Sequence, residues 1–190
     1  MASLILASSS PYRRELLGRL GLDFFTEAAD VDETRAAAES PRDLAIRLAR
    51  AKADAVAARH PEAWVIGSDQ VIALEDRVFS KPGSHEAAVA QLLELAGVEH
   101  QLITAVCVAS PRGMEESVTT FAMHLRELTR AEIEAYVREE EPLDCAGSYR
   151  IEAGGIRLFE HLRGDDFTAI IGLPLTAVGR LLRETGYPGS

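Results

Sequence analysis

The sequence predicts an α/β fold built on a mixed sheet, and three observations carry that reading. Apolar runs of strand length alternate with capped, helix-patterned segments, and hairpin signals interrupt the alternation near the middle of the chain. The chain is also free of repeats and low-complexity stretches. Its 190 residues, 47% of them hydrophobic, suffice for one sizeable core that could divide into two lobes.

Leu4–Ala7 is a short apolar strand. Ser10 and Pro11 have the residue types of an N-cap and first helical residue, Leu16, Leu17 and Leu20 share a face, and Gly21 ends the helix. Leu22–Thr26 reads as a second strand. After the acidic loop "ADVDET", Ser40, Pro41 and Asp43 open a long Ala-rich helix that closes before Pro61. Trp64–Leu74 is an apolar strand interrupted by the polar "GSDQ"; "EDR" turns it into a hairpin with Val78-Phe79, and "SKPGS" leads to a helix from His85 to Ala96. A hairpin follows, with arms from about His100 to Ala109 and Ser117 to Arg126 around Pro111-Arg112-Gly113. Thr129 and Glu132 form a capping box for a helix ending before Pro142. In the remainder, "CAGSYRIEAGGIRLFEHLRGD" predicts an irregular Gly-rich loop leading into a strand, followed by a strand at "TAII", a Gly-Leu-Pro turn and a final helix.

The formal charge is −10, from 20 basic and 30 acidic residues. Such a surface repels a nucleic-acid backbone, so a bound phosphate would belong to a small ligand at a local basic cluster. No run approaches the ~20 apolar residues of a membrane span. No basic segment precedes Leu4 as in a secretory leader, and Cys107 and Cys145 lack a CxxC context. A cytoplasmic protein with free thiols and no membrane partner is the expectation.

Several polar residues stand out of place. "ASSSPYRR" runs from a strand through three serines to Arg13 and Arg14 at a helix start. Either Ser10 is simply a cap and the arginines face water, or hydroxyls, guanidinium groups and helix N–H donors converge on a phosphate. Asp69 lies in an apolar strand, where an ionised carboxylate needs a cation or hydrogen bonds, whether its role is structural or chemical. Lys52 and Lys81 taken alone read as solvated charges, and Asp32 and Glu33 as solvated acids or as oxygen ligands for a hard divalent ion. His60, His85, His100, His124 and His161 show no metal-ligand spacing and read as structural or exposed. There is no P-loop, no GxGxxG turn, no GxSxG elbow and no cysteine-protease signature. What remains is suited to metal-assisted attack on a phosphoryl group.

Taken in order, "LILASSSPYRRELL", "VDET", "RLARAKA", "VIGSDQV", "KP", "AGSYRIEAGG" and "IIGLPL" resemble the Maf family of nucleoside triphosphate pyrophosphatases from the first strand to the last helix. The resemblance implies a single, elongated α/β domain of two lobes with a cleft between them, a central mixed sheet, and kinship with inosine triphosphate pyrophosphatases. It implies an acid-anhydride hydrolase that cleaves nucleotides between the α- and β-phosphates with Mg²⁺ or Mn²⁺. Asp69 would activate water; Ser8, Ser10, Arg13, Lys52 and Lys81 match phosphate-handling positions, with Arg14 beside them; Glu33 and Asp69 would lie at the metal. A homodimer fits the same family, as does a link to septum formation and cell-division arrest.

Tyr12, Gln70 and Glu152 resemble the 7-methyl-GTP branch, whereas the dTTP/UTP branch carries Arg, Thr and Gln there. Methylated guanine is cationic, so Tyr12 could add cation–π attraction, and the Glu152 carboxylate could accept from guanine N1–H and N2–H. The alternatives are dTTP/UTP hydrolysis and a nucleotide-binding regulator of septum formation with little catalysis.

Overall fold

A computed structural model describes residues 3–189. Among the described residues, seven strands and six α-helices occur in the order β1 (Leu4–Leu6), α1 (Pro11–Gly18), β2 (Phe25–Thr26), α2 (Pro41–Ala57), β3 (Trp64–Leu74), β4 (Arg77–Phe79), α3 (His85–Leu95), β5 (Glu99–Ser110), β6 (Gly113–Leu125), α4 (Arg130–Glu140), β7 (Phe159–Arg163), α5 (Thr168–Ile171) and α6 (Leu175–Glu184). The sheet order is β2-β1-β3-β5-β6-β7, with β4 also on β3. β1 pairs in parallel with β2 and β3, while β3–β4 and β6–β7 are antiparallel, so the sheet is mixed as expected. Among the described residues, no helix is long and apolar enough to cross a membrane.

The chain divides into two compact units. The first comprises the described residues up to Gln70, Thr104–Thr119 and those from Asp166 onward. Its core joins Leu4 and Leu6 of β1, Leu16 and Leu17 of α1, Ile66 of β3, Val106 and Val108 of β5, and Val178, Leu181 and Leu182 of α6. Trp64 closes one end, meeting Tyr187 edge-on and donating to the Thr185 carbonyl. The second unit comprises Val71–Ile103 and Thr120–Asp165. There α3 packs on α4, and Leu92, Leu95, Met123, Leu125, Ile133 and Tyr136 are buried.

The helix caps follow the sequence closely. Ser10, Ser40 and Ser84 each accept a backbone N–H three residues on, and Thr129 and Glu132 complete both halves of the capping box. The strand expected at Trp64–Leu74 forms over its full length as β3, continuous through the polar "GSDQ", and two expectations are corrected. The strand foreseen at Leu22–Thr26 shrinks to Phe25–Thr26, because Leu22 and Phe24 instead pack partly buried against the core. "TAII" is the short helix α5, not a strand. Asp166 decides this: its carboxylate accepts the N–H and hydroxyl of Thr168 and those of Thr176, and the Thr168 hydroxyl oxygen accepts from Leu175 N. Those bonds fold the segment back on itself, and Gly172, with φ 119°, ends the turn.

Candidate active site

The site grows from the alternation of side chains along β3. Gly67 and Asp69 face α2, whereas Ser68 and Gln70 face the segment 169–172. At Gly67 a Cβ would lie 2.2 Å from the Ala49 carbonyl oxygen and 2.6 Å from Ala53 N, so only glycine lets α2 approach this closely. Ala45, Ala49 and Ala53 are small and buried along that helix face. The close approach carries Lys52 to Asp69.

Lys52 Nζ donates to Asp69 Oδ1 at 2.6 Å and to Glu33 Oε1 at 2.7 Å. The side chains of Lys52 and Asp69 are only 12% and 11% exposed, against 63% for Glu33, so one ammonium joins a desolvated carboxylate to a solvated one. Burial pushes the Asp69 carboxyl above its ordinary range, the Glu33 charge adds to the rise, and Lys52 and Arg13 oppose it without cancelling it. A carboxylate that holds a proton more readily than usual yet stays paired with a cation suits a general base.

The opposite face of β3 is a brace. Ser68 Oγ lies 2.9 Å from the Ala105 carbonyl oxygen and 3.0 Å from that of Gly172, and Arg13 Nε also donates to Gly172 O, at 3.0 Å. The Gln70 amide nitrogen is within hydrogen-bond reach of Thr104 Oγ1 and the carbonyls of Ala169 and Ile170. Thr104 Oγ1 itself donates to Ala169 O. These bonds fix the backbone on either side of Asp69 and aim Arg13. Burial lowers the Arg13 pKa, the charges of Asp69 and Glu33 counter it, and the guanidinium remains cationic.

At the start of α1, Ser8 Oγ accepts from Ser10 N at 3.1 Å and Ser10 Oγ accepts from Arg13 N at 3.3 Å. Ser10 is thus the helix cap, but of the two arginines only Arg14 faces water, since Arg13 is half-buried and donates to Gly172 O; both serine hydroxyls keep a proton to donate. Tyr12 and Arg14 are exposed on the first turn. The loop that carries Asp32 and Glu33 is tied to α2 by Arg47, which bonds the Thr34 carbonyl at 2.9 Å and Glu39 at 2.7 Å. Asp32 Oδ1 accepts from Thr34 N, which gives that acid a local structural task.

The first unit thus links Glu33, Lys52 and Asp69 directly, with Arg13 braced through Gly172 and acting on both acids by its charge. Lys81 and Glu152 are exposed residues of the second unit. Sequence reasoning missed Ser68, Thr104 and Asp166, polar residues whose bonds hold the site's backbone. The spacing "DxT" at Asp166 and Thr168 was the available signal for the last. It also missed a grouping of histidines: among the described residues, Glu99, His124 and His161 place one ligand atom each within 4.8 Å of one another. Strand pairing creates that grouping, which no sequence spacing announces.

The sequence comparisons bear on this geometry. The family described as Maf-like protein matches residues 3–185. The chain belongs to the Maf family. Maf relatives match it nearly end to end. A protein of Xanthomonas axonopodis pv. citri named 7-methyl-GTP pyrophosphatase is 50% identical over 187 residues, covering 98% of both chains. Proteins of the same name from Cupriavidus metallidurans and Nitrosococcus oceani are 48% and 46% identical, each match covering 98% of this chain and 94% of the relative. Among solved structures, the Ham1 protein of Staphylococcus aureus aligns with a TM-score of 0.49 and 16% identity over 65% of this chain and 71% of its own.

Proposed function

We propose that this Maf protein hydrolyses 7-methyl-GTP to 7-methyl-GMP and diphosphate, as one catalytic domain of two lobes that acts on a small nucleotide. The observation that carries the chemistry is the buried Asp69 held by Lys52, with a carboxyl pKa raised by burial. The relatives' shared name supports the choice of nucleotide.

Asp69 is assigned the proton of the attacking water. A carboxylate with a raised pKa is the stronger base, and desolvation strengthens its grip on a single oriented water. Attack at the α-phosphorus expels diphosphate, whose growing charge falls to Arg13, Lys52 and Lys81, with the Ser8 and Ser10 hydroxyls and Arg14 completing the phosphate contacts. Tyr12 is assigned to the face of the cationic base and Glu152 to its N1–H and N2–H, and Gln70 keeps the backbone beside Asp69 in place.

Glu33 and Asp69 suit a hard divalent ion: both are carboxylates, both face the Lys52 ammonium, and the Lys52 bond engages only the Oδ1 atom of Asp69. They would hold Mg²⁺ or Mn²⁺, which supplies charge neutralisation for the phosphates when bound. The local charge agrees, since Lys52 and Arg13 balance the two acids and leave a triphosphate in need of additional positive charge.

The test is diphosphate release across 7-methyl-GTP, GTP, dTTP, UTP and ATP, with Glu152→Gln alongside. The expected result is a preference for 7-methyl-GTP that Glu152→Gln shifts toward pyrimidine triphosphates. A dTTP/UTP preference in the unaltered protein would overturn the base assignment, and nucleotide-dependent stabilisation without diphosphate release would replace catalysis with a regulatory binding role.

A further inference from the structure

Beyond the Asp69 site, the second unit carries a separate ligand set. His124 on β6 and His161 on β7 are directly opposite in antiparallel register, and a bulge follows His124. Their rings stack at 4.7 Å between centroids and 4° between planes. Glu99, from the first residue of β5, reaches the same spot: its Oε2 lies 3.7 Å from His161 Nε2 and is also bonded by Arg163. One donor atom of each of Glu99, His124 and His161 lies within 4.8 Å of the others. We infer that Glu99, His124 and His161 form a binding site for one transition-metal dication, with Zn²⁺ the best fit.

The chemistry of the set selects the ion. Two imidazoles and one carboxylate are borderline ligands that Zn²⁺, Co²⁺ or Ni²⁺ prefers, whereas Mg²⁺ favours an octahedron of oxygens. Bonds of about 2.0–2.2 Å in a tetrahedron require donors roughly 3.4 Å apart and each imidazole lone pair aimed at the ion in its own ring plane, so the two rings must turn out of their parallel stack while the donors close by up to about 1.4 Å. Rotation about the terminal torsions of exposed or half-buried side chains supplies that. Because the three ligands come from three adjoining strands, the backbone is already arranged, and the ion would staple β5, β6 and β7 together. Three protein ligands leave a fourth position for water.

Arg163 provides the distinguishing control. Its guanidinium occupies Glu99 and places a positive charge beside the proposed ion, so it competes with the metal. Removing it should tighten binding, which no purely structural account of the stacked histidines foresees.

The experiment is calorimetric titration of Zn²⁺ into the chelator-stripped full chain in excess Mg²⁺, which fills the Glu33–Asp69 pair, with melting temperature as a second readout. The expected result is one equivalent bound with a rise in melting temperature. Binding should be lost in His124→Ala/His161→Ala, weakened at least tenfold in Glu99→Gln, and tightened several-fold in Arg163→Gln. Should the double variant fail to fold, His124→Gln alone must weaken binding at least tenfold. Absence of Zn²⁺ binding in the unaltered protein up to 0.1 mM (~100-fold above a micromolar site), or an undiminished equivalent in the folded histidine variants, would overturn the site. Neither readout depends on nucleotide turnover, so the inference stands or falls separately from the proposed reaction.

Discussion

Replacing Gly67 with alanine would place a methyl group 2.2 Å from the Ala49 carbonyl oxygen, 2.6 Å from Ala53 N and 2.9 Å from the Ala53 methyl. Two of these three atoms are helix backbone, so no side-chain rotation relieves the overlap. Restoring a normal carbon–oxygen contact of about 3.3 Å requires α2 to move off β3 by roughly 1 Å. Overpacking of this kind costs about 1–3 kcal/mol. A shift of that size would also stretch the Lys52–Asp69 bond from 2.6 Å to about 3.6 Å, beyond hydrogen-bond range. Without the ammonium close by, burial raises the Asp69 carboxyl further, and its acid limb moves to higher pH. With a urea m-value of about 2 kcal/mol/M, the denaturation midpoint of Gly67→Ala should fall by roughly 0.5–1.5 M at unchanged m, and turnover should fall at least tenfold. A midpoint within about 0.2 M of the unaltered protein, with turnover within twofold, would refute the packing argument.

Other perturbations probe other links. Lys52→Met removes the main cation that opposes the rise of the Asp69 pKa, so the acid limb of the turnover profile should move to higher pH; an unmoved limb would remove Asp69 as the titrating base. Thr104→Val keeps the shape of a fully buried side chain but deletes the bond to Ala169 O and the acceptor for Gln70, which should cost about 1–3 kcal/mol in chemical denaturation. Burial pushes the Cys107 thiol up to about 12, so a thiol reagent at neutral pH should modify Cys107 only after unfolding while reaching half-buried Cys145 in the native state; equal native rates would contradict that burial.

Local chemistry accounts for what the sequence made legible. Ser40 with Pro41, Thr129 with Glu132, and the apolar run Trp64–Leu74 each carry their signal within a few residues, and each element forms where its signal lies. The out-of-place Asp69 was equally visible, because a charge in an apolar strand implies a partner. The partner's identity was less so. Lys52 looks like an ordinary surface lysine until α2 settles over Gly67, an approach that depends on a side chain that is absent. α5 misled for a related reason: Thr168, Ile170 and Ile171 favour a strand by type, and the bonds that override them come from Asp166 and from Thr176 on the next helix. His124 and His161 become neighbours only through the register of β6 and β7.

The most direct test of the central claim follows the oxygen of the attacking water. Hydrolysis of 7-methyl-GTP in ¹⁸O-labelled water should place the label in 7-methyl-GMP, and Asp69→Asn, folded by circular dichroism, should lose at least ~100-fold in turnover. Label in the diphosphate, or turnover retained by the folded Asp69→Asn protein, would contradict water activation by Asp69 at the α-phosphorus.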